Sequence, residues 1–166
     1  MKNKRVQTVD SQLRLSTIDH RPSTLPQFRV LAIDYGSKRV GLAISDELRM
    51  LARPFGYLEN TNRLQKEILA LIEKEHIGCV ILGLPRTLAG TDSEFTTTVR
   101  AFAEKLFAKL DTKNIEHHFY DERLTSVMAQ ANISEQGWSK SKREEKHRKD
   151  EEAARIILQE WLDIQS

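Results

Sequence analysis

The sequence predicts an α/β domain built on a mixed five-stranded sheet flanked by helices. Short apolar runs of strand length recur at residues 28–33, 39–44, 79–82 and 115–120, with a less regular one at 50–58. The first three strands along the chain are joined by links of a few residues, which allow antiparallel hairpins but no crossover. The last two are each preceded by a segment of helical apolar spacing, the pattern of βαβ units that extend a sheet in parallel. With 166 residues, 39% of them hydrophobic, the chain has the size of one domain with a real core.

Residues 1–27 are polar, contain Pro22 and Pro26 and carry no apolar periodicity, so a flexible extension is expected before a domain spanning 28–166. The third strand is broken by Pro54 and Gly56. Asn62, with Gln65 three residues on, is the expected cap of a helix whose Leu64, Ile68, Leu71 and Ile72 share a face and which ends near His76. Gly83-Leu84-Pro85 stops the fourth strand, because proline lacks an amide hydrogen and disfavours helix before it. Asp92 or Ser93 caps a second helix with Phe95, Val99, Phe102, Leu106 and Leu110 on one stripe. After the fifth strand the pattern predicts a short helix at 124–133, a charged loop from Trp138 to Lys149, and a last helix at 150–162.

No apolar segment approaches the roughly 20 residues that span a bilayer, and the N-terminus lacks the apolar centre of a signal peptide. A soluble cytoplasmic protein without membrane partners is expected. Cys79 is the only cysteine; it cannot form an intrachain disulfide, and its apolar neighbours make it core rather than nucleophile. His117 and His118 are strand neighbours and face opposite ways, which argues against a shared metal site. The net charge of +2 does not announce a nucleic-acid binder. Residues 140–149, however, hold Lys140, Lys142, Arg143, Lys146, Arg148 and Lys149 against Glu144 and Glu145. That local excess suits phosphate binding, although a solvated surface segment has the same composition.

The acidic residues at element ends carry the chemistry. The stretch from Val30 to Asp46 holds an apolar strand that delivers Asp34 to a turn through Gly36, with Lys38 and Arg39 adding positive charge. Asp121 and Glu122 leave the fifth strand, and Asp150 opens the last helix on the stripe of Ala154, Ile157, Leu158 and Trp161. With strands one, four and five parallel, these positions fall on one sheet edge, where open α/β sheets place ligands. A turn aspartate and a helix-dipole aspartate would be the ordinary explanations. Carboxylates that converge need a shared cation, and oxygen-only ligands suit Mg²⁺ or Mn²⁺; the chemistry is then phosphodiester hydrolysis, with two ions about 3.5–4 Å apart.

Five segments in order resemble the YqgF family of the ribonuclease H-like superfamily, described as pre-16S ribosomal RNA nucleases and Holliday junction resolvase-like proteins. They are Ala32-Ile33-Asp34-Tyr35-Gly36-Ser37-Lys38-Arg39-Val40-Gly41-Leu42-Ala43; Gly83-Leu84-Pro85 with Gly90-Thr91; residues 99–103; Asp121-Glu122-Arg123-Leu124-Thr125-Ser126; and Asp150 before Ala153-Ala154 and Ile157-Leu158. The resemblance implies a ribonuclease H-like five-stranded sheet and a metal-dependent nuclease that matures the 5′ end of 16S ribosomal RNA. By position it makes Asp34, Glu122 and Asp150 the catalytic, metal-holding carboxylates, with Asp121 an uncertain fourth because neighbours on a strand diverge.

Nucleic-acid binding is expected from Lys38, Arg39, Arg123, Thr125, Lys142, Arg143, Lys146 and Arg148, with precursor ribosomal RNA favoured over branched DNA. Ribosomal particles are a further candidate partner, and the chain is expected to be a monomer or homodimer. Two departures stand out. Many ribonuclease H-like nucleases carry an acid at the end of strand four, where this chain has Gly83-Leu84-Pro85, so Glu122 must act from strand five. Thr87 stands where relatives often have Asn. The competing readings are a four-way DNA junction resolvase using the same carboxylates, for which a dimer is expected, and a non-catalytic nucleic-acid-binding module.

Overall fold

The structure is a computed structural model that describes residues 28–87, 89–122 and 142–165, with side chains from residue 151 onward in the last stretch. Strands β1 (Arg29–Tyr35), β2 (Arg39–Ser45) and β3 (Ala52–Glu59) are followed by helix α1 (Leu64–Lys74), strand β4 (Ile77–Leu84), helix α2 (Glu94–Asp111), strand β5 (Glu116–Asp121) and helix α3 (Lys142–Gln165). β1 to β3 form the antiparallel meander, and β4 and β5 extend the sheet in parallel, in the order β3-β2-β1-β4-β5. This is the mixed five-stranded sheet that the resemblance implies. β1 lies at its centre with both faces covered, which explains the unbroken apolar run from Val30 to Ile33.

Strand alternation divides the core into two layers. Leu31, Ile33, Leu42, Val80 and Leu82 pack under α1 and α2, which contribute Ile68, Ile72, Val99, Leu106 and Leu110. Val30, Ala32, Ala43, Cys79, Ile81 and Tyr120 pack on the other face under Ala154, Ile157, Leu158 and Leu162 of α3. Asp34, in step with Val30 and Ala32, therefore belongs to the α3 face.

Three local expectations are corrected. Arg63 rather than Asn62 precedes α1, with no side-chain cap; the Arg63 amide instead donates to the Thr61 hydroxyl at 3.2 Å. In α2 the cap is Ser93, one of the two residues expected, in a capping box with Thr96, but the buried stripe is Thr96, Val99, Ala103, Leu106 and Leu110. Phe95 is left 37% exposed, because the stripe is one step away from it. The charged segment at 142–149 is not a loop but the first two turns of α3. Its Lys, Arg and Glu residues are good helix formers without Gly or Pro, and Glu144 and Glu145 stand four residues before Arg148 and Lys149. A solvated helix and a charged loop share that composition. Residues 1–27, the short helix expected at 124–133, and Trp138 lie outside the described residues.

Candidate active site

The β1–β2 turn closes because Gly36 has no side chain. Its amide donates to the Arg39 carbonyl at 2.9 Å, and a Cβ there would overlap that carbonyl oxygen. Asn60 ties the turn to the end of β3, its side-chain amide donating to the Gly36 carbonyl at 2.8 Å. β1 continues past Ile33, so Asp34 sits inside the β1–β2 ladder opposite Gly41, half-buried and one step beyond the last β1–β4 pair. Tyr35 points to the other face and stacks on Phe102, ring centroids 4.6 Å apart. Lys38 is exposed at the turn. Arg39 is engaged, 3.4 Å from its cross-strand partner Glu59 and over the Tyr57 ring at 5.2 Å.

The ladders pair Ile33 with Leu82 and Gly83 with Tyr120. One step beyond the first pair, Asp34, Gly83 and Tyr120 make a row across β1, β4 and β5 on the α3 face. Glu122, two residues beyond Tyr120, folds back onto Gly83. A Cβ at Gly83 would overlap the Glu122 Oε1, and would lie 3.2 Å from its Cδ and 3.0 Å from the Ile157 Cδ1. Burial first, then the charges of Asp34 and Asp121, push the Glu122 carboxyl up to about 8. The space that Gly83 leaves at the end of β4 is thus taken by the carboxylate of Glu122 at the end of β5.

Asp121 turns to the opposite face. Its Oδ2 is 3.7 Å from Nη1 of Arg86, whose guanidinium also donates to the Gly90 carbonyl. The Arg86 Nε is buried 3.4 Å from the Asp92 carboxylate, in ion-pair range but not aligned for a hydrogen bond. Arg100 grips Asp92 through bonds of 2.6 and 3.3 Å, which hold the Asp92 carboxyl below the usual range. Thr87 closes the same loop, its amide donating to the Thr91 carbonyl at 3.1 Å. Sequence reasoning put Gly83 at this edge without seeing that it seats Glu122, and it missed Arg86. The available signal for Arg86 was its place on the same edge, directly after Pro85.

Helix α3 reaches this edge from outside. Ile157 meets Gly83 at the end of β4, whereas the Gln159 side chain accepts from the Ala52 amide at 2.9 Å at the start of β3. Ala52 pairs with Ser45, at the edge where β1 begins, so α3 runs from the carboxylate edge towards the opposite one. Asp150 lies two turns before Ile157, about 10 Å along the axis on the side of Asp34 and Glu122. Lys142, Arg143, Lys146 and Arg148 occupy the turns before it. The side chains of these five residues, and all of Arg123 and Thr125, lie outside the described residues. His117 stacks on Phe107 at 4.2 Å, and His118 faces α3 near Trp161, which bears out the expected divergence of the pair.

A family model described as "RuvX: Holliday junction resolvase" matches residues 28–164. The chain belongs to this RuvX family. A relative from Maridesulfovibrio salexigens named "Putative pre-16S rRNA nuclease" is 42% identical over 137 residues, covering 81% of this chain and 97% of its own. One of the same name from Porphyromonas gingivalis is 42% identical over 136 residues, covering 81% and 96%. Among solved structures, Thermus thermophilus RuvC in complex with a Holliday junction substrate aligns at a TM-score of 0.47 with 13% identity, over 78% of this chain and 91% of that one.

Proposed function

We propose that this RuvX-family chain is a divalent-metal-dependent nuclease that hydrolyses phosphodiester bonds in the 5′-end maturation of precursor 16S ribosomal RNA in the cytoplasm. The observation that carries the reading is the Glu122 carboxylate seated on Gly83 beside Asp34. Two carboxylates held close in a desolvated corner raise each other's cost of ionisation, and a shared cation relieves it. The donors are oxygen only, which fits Mg²⁺ or Mn²⁺. Asp34, Glu122 and Asp150 would hold the ion or ions, which when bound supply an activated water and charge stabilisation at phosphorus.

This chain's own contribution is placement. The β1 ladder fixes Asp34, and the bare backbone of Gly83 admits Glu122. α3 covers the floor of the site with Ile157 and brings Asp150 to its rim. Asp121, drawn to the other face by Arg86, stays outside the metal set. Lys38 and the first turns of α3, with Lys142, Arg143, Lys146 and Arg148, suit the phosphates of a long RNA, as do Arg123 and Thr125, which follow Glu122 in the sequence. Arg39 contributes less, since Glu59 already occupies it. The names of the relatives favour ribosomal precursor RNA; ribosomal particles that carry it are a further partner of this reading.

The family description favours a second reading, cleavage of four-way DNA junctions by the same carboxylates. Incubating purified protein with 5′-extended 16S precursor RNA and Mg²⁺ or Mn²⁺, beside a four-way junction, separates the two. RNA shortening that needs metal and is lost in Asp34→Asn is the expected result. Junction cutting without RNA cutting would replace the first reading with the second, and binding without cleavage of either would sink both.

A further inference from the structure

We propose a second cation site at the opposite end of the sheet, in which Cys79 of β4 and Glu116 and His118 of β5 hold a thiophilic divalent ion such as Zn²⁺. The parallel register pairs Cys79 with Glu116 and Ile81 with His118, placing all three side chains on the α3 face. One ligand atom from each, the thiol sulfur, a carboxylate oxygen and a ring nitrogen, lies within 4.8 Å of the other two. Ligand bonds to zinc run about 2.3 Å for sulfur and about 2.0–2.2 Å for nitrogen and oxygen, so small side-chain rotations close a shell around one ion. Solvent supplies the fourth position, because Glu116 and His118 are exposed while Cys79 lies beneath them.

The donor set differs in kind from the Asp34 edge. Sulfur, imidazole and a single carboxylate select zinc-like ions over Mg²⁺. His118 already meets Glu116 at 2.6 Å, so two of the three ligands are gathered. Burial and the Glu116 charge push the Cys79 thiol up to about 12, with Arg49 opposing weakly. The thiol is therefore neutral without metal, and on binding it gives its proton to solvent as the sulfur–metal bond forms. A divalent ion, a thiolate and a carboxylate then sum to zero charge, which suits a half-buried position. Among the described residues β5 is at the edge of the sheet and pairs with β4 alone, and an ion bridging the two would clip it to the sheet.

Cobalt(II) titration of metal-free full-length protein tests the site, since a thiolate bound to cobalt absorbs in the near ultraviolet and carboxylate sites do not. The expected result is a band that saturates at one equivalent, is displaced by Zn²⁺, persists in Asp34→Asn and disappears in Cys79→Ser. Zinc binding should also release about one proton at neutral pH. His118→Ala, at an exposed position that leaves the core intact, should weaken cobalt binding by at least about tenfold, which keeps the test decisive should Cys79→Ser fail to fold. Absence of the band in the unaltered protein, or its persistence unchanged in His118→Ala, would overturn the proposal.

Discussion

The Glu122 carboxylate occupies the space that a side chain at Gly83 would need. Gly83→Ala must displace Glu122, Ile157 or the β4 backbone, so it is expected to lose about 1–3 kcal/mol of stability, the usual range for overpacking a well-filled position. The same change should weaken stabilisation by Mg²⁺, because the displaced carboxylate is one of the proposed ligands. Urea unfolding with and without Mg²⁺ measures both effects. If Gly83→Ala matched the unaltered protein in both, Glu122 would not depend on that seat.

Glu122 also sets a pH dependence. Its carboxyl titrates near 4.5 in an unfolded chain and is pushed up to about 8 in the fold. Below 4.5 the group is protonated in both states and has no effect. Between 4.5 and 8 the unfolded chain has released the proton while the fold retains it, so stability falls as pH rises through this window and levels off above it. At pH 7 the metal-free protein should be destabilised by on the order of 3 kcal/mol relative to acidic pH. Glu122→Gln should flatten that slope, and Mg²⁺ should stabilise more at pH 8 than at pH 6, where a proton competes for the carboxylate. Thermal unfolding across pH, with Mg²⁺ and with EDTA, checks all three outcomes.

Much of this arrangement was legible in the sequence, because it rests on local signals. The run from Val30 to Ile33 marks a strand buried on both faces, Gly36 marks a turn, and the stripe from Ala154 to Trp161 marks the face α3 turns to the sheet. Those three facts bring Asp34 and the turn of α3 that holds Asp150 towards one edge, although α3 begins at Lys142 and not at Asp150 as expected. The seat of Glu122 was not legible. It depends on the register between β4 and β5, which puts Gly83 beside Tyr120, and periodicity within one strand says nothing about its neighbour's register. The Arg86–Asp121 pair was hidden for the same reason, since its partners are 35 residues apart in sequence and meet only across the sheet. At 142–149 the failure was different: a charge run looks alike as loop or helix, and the missing signal was the absence of any breaker.

Arg86 and Asp121 are both partly buried, so each stabilises the other against an uncompensated charge. Arg86→Met should destabilise the fold by about 1–3 kcal/mol, and Asp121→Asn in that background should recover part of the loss. A double-mutant cycle is expected to give a coupling of about 0.5–2 kcal/mol. Asp121→Asn alone should leave metal-dependent cleavage within about tenfold, whereas Glu122→Gln should abolish it, because only Glu122 faces Asp34. Equal losses from Asp121→Asn and Glu122→Gln would instead place both residues in the metal set.

The opening turns of α3 separate affinity from chemistry. Replacing Lys142, Arg143, Lys146 and Arg148 together with Gln keeps good helix formers and removes four positive charges. If those residues meet phosphates, RNA affinity falls most at low salt. The slope of log affinity against log salt then shrinks by about 0.7 for each phosphate of the single strand that is no longer neutralised. Cleavage at saturating RNA should persist, since none of the four supplies a carboxylate. Fluorescence-anisotropy titrations at several salt concentrations, with single-turnover cleavage in parallel, give the two quantities independently. An unchanged salt slope would assign these turns of α3 to solvation and leave phosphate binding to Lys38 and the chain around Arg123.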